Sequence, residues 1–164
     1  MKKLSLIVAT LVTTFTYSFG DTIDIYPQIS GEIASQLKQN QTFKKGDTLV
    51  LFDQRQIDTK IVQYEGIVAL KKTLLDDAQK ILNENITLYE STVAAQRDVD
   101  LAKLEYDKAK SAYDIEVANL AYYKLEKEKY TIKAPFSGVV KDVPNHQNAT
   151  NINQPKILLV IESR

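Results

Sequence analysis

The chain has no cysteine, no tryptophan, a single histidine and no excess of charge of either sign. Without cysteine there is no disulfide, no thiolate nucleophile, no cysteine-based zinc site and no lipid anchor on an N-terminal cysteine. With 21 basic and 21 acidic side chains, the formal charge is zero, so electrostatics gives no reason to expect nucleic acid or an anionic membrane as a partner. The one histidine, His146, lies in the polar stretch "PNHQNATNINQ" and reads as a solvated turn residue. No serine, histidine and aspartate set has a recognisable context, so no catalytic site is expected. Nothing in the pattern calls for a metal or a cofactor, and the chain reads as a non-enzyme.

Proline and glycine are also missing where it matters. All four prolines (Pro27, Pro135, Pro144, Pro155) lie outside residues 54–129, and Gly66 is the only glycine within that window. A long helix requires such exclusion, because an interior proline removes a hydrogen bond and clashes with the preceding turn. Alternating steps of four and three from Ile57 reach Ile61, Tyr64, Val68, Lys71, Leu75, Ala78, Leu82, Asn85 and Tyr89, apolar at eight of ten positions. A second series runs Ala95, Val99, Ala102, Tyr106, Ala109 and Tyr113, then slips by one residue to Val117 and Leu120. A period near 3.5 predicts two helices in coiled-coil contact. Local signals place the turn at Asn83–Asn85, with Thr87 and Glu90 as a capping box. Arms of equal length, needed if both ends enter one small domain, place it instead at Glu90–Ala94. At ~1.5 Å per residue each arm reaches roughly 55 Å.

Charged pairs expected on the helix surface are Asp76 with Lys80, Asp100 with Lys103, Glu105 with Lys108 and Asp107 with Lys110. Each is worth a few tenths of a kcal/mol when exposed, so they read as a solvated face. The tyrosines Tyr64, Tyr89, Tyr106, Tyr113, Tyr122, Tyr123 and Tyr130 read as seam and junction packing.

The first twenty residues have their own grammar. Lys2 and Lys3 precede "LSLIVATLVTTFTYSF", an uncharged run of sixteen, whose end with Gly20 forms Ser18-Phe19-Gly20, with small residues at the −3 and −1 positions. This is the layout of a secretory signal peptide cut after Gly20. The run is short for a membrane span, which needs about 20 apolar residues. An exported, disulfide-free protein of the periplasm is the expectation, with an uncleaved N-terminal anchor as the alternative.

The flanks of the helical window repeat one another. "YPQISGEI" (26–33) and "KAPFSGVV" (133–140) share a proline, a Ser-Gly pair and β-branched residues. Gly31 matches Gly138 at an offset of 107, and Phe43, Gly46 and Leu49 match Ile152, Pro155 and Leu158 at an offset of 109. A half of ~30 residues cannot bury a core alone, so residues 21–53 and 130–164 are expected to close one β-sandwich, with 54–129 as an inserted hairpin. Asp53, with Gln56 three residues on, is the expected cap where sheet becomes helix.

At these residues the chain resembles the periplasmic adaptor family, the HlyD-like membrane fusion proteins, whose biotinyl/lipoyl-like domain is split by an α-helical hairpin. The resemblance rests on Ile29-Ser30-Gly31-Glu32-Ile33, on Lys44-Lys45-Gly46-Asp47-Thr48-Leu49 closing with Asp53, and on Ala134-Pro135-Phe136-Ser137-Gly138-Val139-Val140. It covers nearly all of the chain after residue 20 and implies an α+β fold: a lipoyl-like sandwich from two sequence halves around a long antiparallel hairpin. It also implies a scaffold function, joining an inner-membrane transporter to a TolC-like outer-membrane channel as a homo-oligomer. The partner-binding residues implied at the hairpin tip are Leu88, Ser91, Thr92, Val93 and Ala95. Two departures accompany the likeness. The sequence reaches Arg164 before the β-barrel domain that usually follows in the family, so the resemblance implies a minimal form as the expectation. The Arg, Leu and Ser that often mark channel-docking tips correspond to Glu84, Leu88 and Ala95, of which only the leucine agrees. A carrier lysine is not expected, because the hairpin occupies its place. A periplasmic coiled-coil spacer or regulator without a transport role is the second reading the residues allow.

Overall fold

A computed structural model describes residues 20–144, 149–151, 153 and 155–163. His146 and Ile152 therefore lie outside the described residues. Four strands come first: β1 (Thr22–Ile25), β2 (Gly31–Gln36), β3 (Thr42–Phe43) and β4 (Thr48–Phe52). Two helices follow, α1 (Arg55–Glu90) and α2 (Gln96–Glu128). Four more strands close the chain: β5 (Thr131–Lys133), β6 (Gly138–Asp142), β7 (Ala149–Thr150) and β8 (Leu159–Ser163).

The strands form two four-stranded sheets, in the orders β1-β8-β6-β3 and β5-β4-β2-β7. Exchanging each strand for the one four places away in number turns either order into the other. Each sheet thus takes two strands from each half of the sequence, and neither half has a complete sheet of its own. The burial pattern repeats in step: Leu49, Val50 and Phe52 of the first half are buried, and so are Leu158, Leu159 and Ile161 of the second. The register repeats too. Val50 pairs with Ile132 in one sheet, and Leu159 pairs with Ile25 in the other. One detail of the expected repeat is corrected. Phe43 pairs with Gly138, and its counterpart facing Gly31 is Thr150 rather than Ile152. The two extra residues of the second half therefore fall between β7 and β8, where a loop accommodates them without disturbing a ladder.

The core lies between the sheets. Phe43, Leu49, Val50, Phe52, Ile132, Ala134, Val140, Leu158, Leu159 and Ile161 form one cluster, and Ile25, Ile29, Ile33, Leu37, Tyr130, Phe136 and Val143 pack against it. Both flanks supply it, so separating them would expose apolar surface on each, at about 25 cal/mol per Å². Cross-links between the halves reinforce the closure. Gly46 N–H donates to Ala134 O at 2.9 Å, Ala134 N–H to Asp47 O at 2.8 Å, and Lys45 N–H to Ser137 Oγ at 3.0 Å.

The helices lie antiparallel along an apolar seam. Of the expected α1 positions, Ile57 and Leu82 are buried, Tyr89 is exposed, and the others are half-buried. On α2 the seam runs Val99, Ala102, Tyr106, Ala109, Tyr113, Glu116, Leu120 and Tyr123. The expected slip to Val117 does not occur. Val117 is exposed, and Glu116 holds the position, accepting a bond from Asn119 Nδ2 at 3.1 Å. A continuous 3-4 repeat keeps the seam facing its partner, and one polar residue disturbs it less than a change of register. Tyr64 and Tyr123 stack across the seam near its base, centroids 4.7 Å apart, with Lys60 Nζ over the Tyr123 ring. Tyr122, read as packing, is instead exposed. Lys124–Glu65 (3.0 Å) and Lys127–Asp58 (2.7 Å) join the helices. Among the surface pairs, Glu105–Lys108 forms, while Asp76 pairs with Lys72 and Lys110 with Asp114.

The entry to α1 differs slightly from expectation. Asp53 Oδ1 accepts the Arg55 backbone N–H at 2.9 Å, and its carboxylate also grips the Arg55 guanidinium. Gln56 takes no part. These bonds hold the Asp53 carboxyl down to about 2, the side-chain bond from Arg55 contributing most and the backbone bond next.

Candidate functional site: the hairpin tip

Helix α1 ends through a backbone device that needs no proline or glycine. Thr92 N–H donates to Tyr89 O (2.9 Å) and Val93 N–H reaches back to Leu88 O (2.9 Å). Thr92 itself takes φ 61°. This pair of bonds around one left-handed residue is a Schellman ending, which normally brings the residues at its two ends, here Leu88 and Val93, together. Ser91 N–H and Ser91 Oγ both donate to Thr87 O, at 3.1 and 2.9 Å. Ala95 caps the start of helix α2, its N–H donating to Asp98 Oδ2 at 3.1 Å. Thr87, the first residue of the competing capping box, sits inside α1 with its hydroxyl bonded to Asn83 O. The connection is Ser91–Ala95, and it is chemically simple: five small or medium residues held by main-chain bonds.

The tip residues have these environments. Val93 is 74% exposed and Leu88 44%. Ser91, Thr92 and Ala95 are exposed as well. The backbone brings Leu88, Thr92 and Val93 to one end of the hairpin, with Ser91 beside them and Ala95 at the first turn of α2. Around them stand Glu84, Glu90, Asp98 and Asp100 against Lys80 and Arg97, with Lys80 Nζ 4.0 Å from Glu84. The end of the molecule is therefore apolar at its point and acidic at its shoulder.

A second apolar feature lies outside the seam. Leu74, Ile81 and Leu88 recur every seven residues on α1, and Leu70 is also exposed. On α2, Leu101, Leu104, Ile115, Tyr122 and Leu125 are exposed. These form a second set of heptad-spaced apolar positions that the hairpin does not cover. On one face, Leu74, Ala78 and Ile81 meet Leu101 and Ala102 around a groove of about 470 Å³. The signal was present in the seven-residue recurrence Ile67, Leu74, Ile81, Leu88. Counting one seam per helix passes over it.

Among the described residues no cluster of three or more His, Asp or Glu is placed to hold a metal ion. No described helix is long and apolar enough to cross a membrane.

Comparison with known proteins gives these likenesses. No protein-family model matches the chain. The colistin resistance protein EmrA of Acinetobacter baumannii is 31% identical over 122 residues, covering 64% of this chain and 34% of the relative. Among solved structures, the membrane fusion protein Spr0693 from Streptococcus pneumoniae superposes with a TM-score of 0.69 at 15% identity, over 89% of this chain and 61% of that one. In its split β-domain and helical hairpin, the chain shares the fold of the membrane fusion proteins. MacA from Actinobacillus actinomycetemcomitans shares the fold at a TM-score of 0.53 and 23% identity, over 88% and 51% of the two chains. The chain spans about a third of the length of the curated relatives it matches, so the likeness concerns the sandwich and the hairpin.

Proposed function

We propose that the protein is a periplasmic adaptor of a transport or efflux system, a scaffold without chemistry of its own. One observation carries this reading. A hairpin of two helices, 36 and 33 residues long, is anchored at both ends in one β-domain and points an apolar, exposed tip away from it. At ~1.5 Å per residue the helices extend about 50 Å, far more than a two-sheet domain needs for its own stability. The β-domain fixes the base, the seam stiffens the arm, and Leu88 and Val93, with Ser91, Thr92 and Ala95 around them, meet a partner. The partners proposed are an inner-membrane transporter at the base and a TolC-like outer-membrane channel at the tip. The uncovered heptad stripes of α1 and α2 support side-by-side packing of copies, because helices with matching 3-4 spacing pack into one another. Such names among the relatives as colistin resistance and multidrug resistance agree with an efflux setting.

The test uses the full chain in its own cells. Leu88→Glu and Val93→Glu place an unpaired charge in an apolar contact, and each should abolish crosslinking to the channel and transport while leaving the amount of folded protein unchanged. Normal crosslinking by both variants would remove the tip from the function and favour a spacer without a transport role. Export is checked separately: intact mass of envelope-derived protein should correspond to a chain beginning at Asp21, and a mass retaining residues 1–20 counts against cleavage.

A further inference from the structure

Backbone with positive φ occurs at four described positions: Gly20, Asn40, Gly46 and Thr92. Glycine and asparagine are the residues that tolerate this region. Threonine is β-branched, and its Cβ substituents crowd the adjoining peptide, so φ 61° at Thr92 is strained. Among the described residues nothing compensates the strain. Thr92 is exposed, its backbone N–H is used in closing the helix, and its hydroxyl has no hydrogen-bond partner among the described residues. The helix ending itself needs no threonine, since glycine would make the same main-chain bonds with less strain. A strained residue without internal support points to use by something outside.

We propose that Thr92 is the residue by which the tip discriminates its partner. The inference rests on the docking reading above and adds the polar element that reading lacks. Leu88 and Val93 supply apolar contact, which is not directional. A hydroxyl held on a fixed, left-handed backbone between them supplies one directional hydrogen bond. The surface that fits is an apolar pocket on a protein, with one buried polar group facing Thr92. Its rim is basic, because Glu84, Glu90, Asp98 and Asp100 outnumber Lys80 and Arg97 at the shoulder. A partner whose pocket lacks the polar group is bound no better than by any apolar point. One whose polar group meets no hydroxyl pays its desolvation unreturned.

The experiment places photo-crosslinking benzoyl-phenylalanine at Gln96, which is exposed beside the tip, in the full chain within its native cell envelope. Adducts are identified by mass spectrometry in five backgrounds: unchanged, Thr92→Ser, Thr92→Gly, Thr92→Asn and Leu88→Glu. The expected result is one defined protein adduct in the unchanged and Thr92→Ser backgrounds. Its yield should fall about tenfold or more in Thr92→Gly and Thr92→Asn, as loss of one hydrogen bond to a desolvated group implies. Amide exchange at Val93 should show the tip of Thr92→Gly to be at least as well protected as the original, so that loss of capture is not loss of structure. Wild-type yield in Thr92→Gly together with loss in Leu88→Glu overturns the role of Thr92 and leaves docking standing. Loss in Thr92→Ser overturns the hydroxyl assignment. Wild-type yield in Leu88→Glu, or no adduct in any background, overturns the docking reading and this inference with it.

Discussion

Gly31 and Gly138 occupy the same place in the two halves of the β-domain, and alanine at the two positions should have very different consequences. A Cβ built on Gly31 meets nothing nearer than the Phe52 side chain at 3.9 Å, an ordinary contact. At Gly138 the added atom would lie 2.0 Å from the backbone oxygen of Glu162 and 3.1 Å from Phe43 Cζ. The oxygen belongs to β8, the strand to which β6 is paired through Gly138–Ser163 and Val139–Glu162, so relief requires moving main chain. Opening this ladder also disturbs Val140 and Ile161, both fully buried. Overpacking a core costs about 1–3 kcal/mol, and more where backbone must shift. For Gly138→Ala we therefore expect about 3–5 kcal/mol, in the range reserved for core disruption. Gly31→Ala should stay within about 1 kcal/mol. For a chain of this size, ~1 kcal/mol moves the melting temperature by roughly 2–4 °C. Scanning calorimetry should find Gly138→Ala melting about 10 °C or more below the parent, with Gly31→Ala close to it. Equal melting temperatures for the two variants would refute the close approach of β6 and β8 and the asymmetry drawn from it.

Replacing residues 56–127 with a short Gly/Ser linker should leave a folded β-domain, because closing a short loop costs little and both halves of the core remain. Circular dichroism should show sheet, little helix and a cooperative melt, and a random-coil spectrum would sink the two-halves reading. In the seam, Leu82→Ala should cost about 2 kcal/mol by opening a cavity, whereas Leu88→Glu and Val93→Glu should cost under about 0.5 kcal/mol; urea unfolding followed at 222 nm compares them, and equal losses would contradict the burial difference. Asp53 titrates near 2 in the folded chain against an ordinary value of 3.8, so its stabilising effect is present above about pH 4 and lost as pH falls through about 2. The melting difference between the parent and Asp53→Asn should accordingly shrink over that interval, and a difference independent of pH would exclude the Arg55 contacts as its cause.

Much was legible in the chain itself because its signals are short-range and periodic. Proline-free length and 3-4 spacing identify a coiled-coil pair, since helix geometry brings those residues to one face whatever surrounds them. The paired Ser-Gly and Ala-Pro-Phe motifs, with the lysine-glycine-aspartate turn, carry the resemblance to the adaptor family and, with it, the α+β class. Other features depend on which segments become neighbours. The sequence repeat shows that two halves are alike, but only the assembled sheets show that each is built from strands of both. Gly31 and Gly138 look equivalent in sequence, yet a Cβ added at Gly138 would meet the main-chain oxygen of Glu162 at 2.0 Å, whereas one at Gly31 would meet only side chains at ordinary distance. Glu116 keeps a seam position that its polarity alone would have refused, because the opposite helix fixes the register. The left-handed backbone at Thr92 is equally invisible in a residue type that disfavours it; it follows from how α1 closes on Leu88 and Tyr89. Local periodicity is set by the geometry of one helix or strand, whereas register, close approach and strain are set by the partner that tertiary structure supplies.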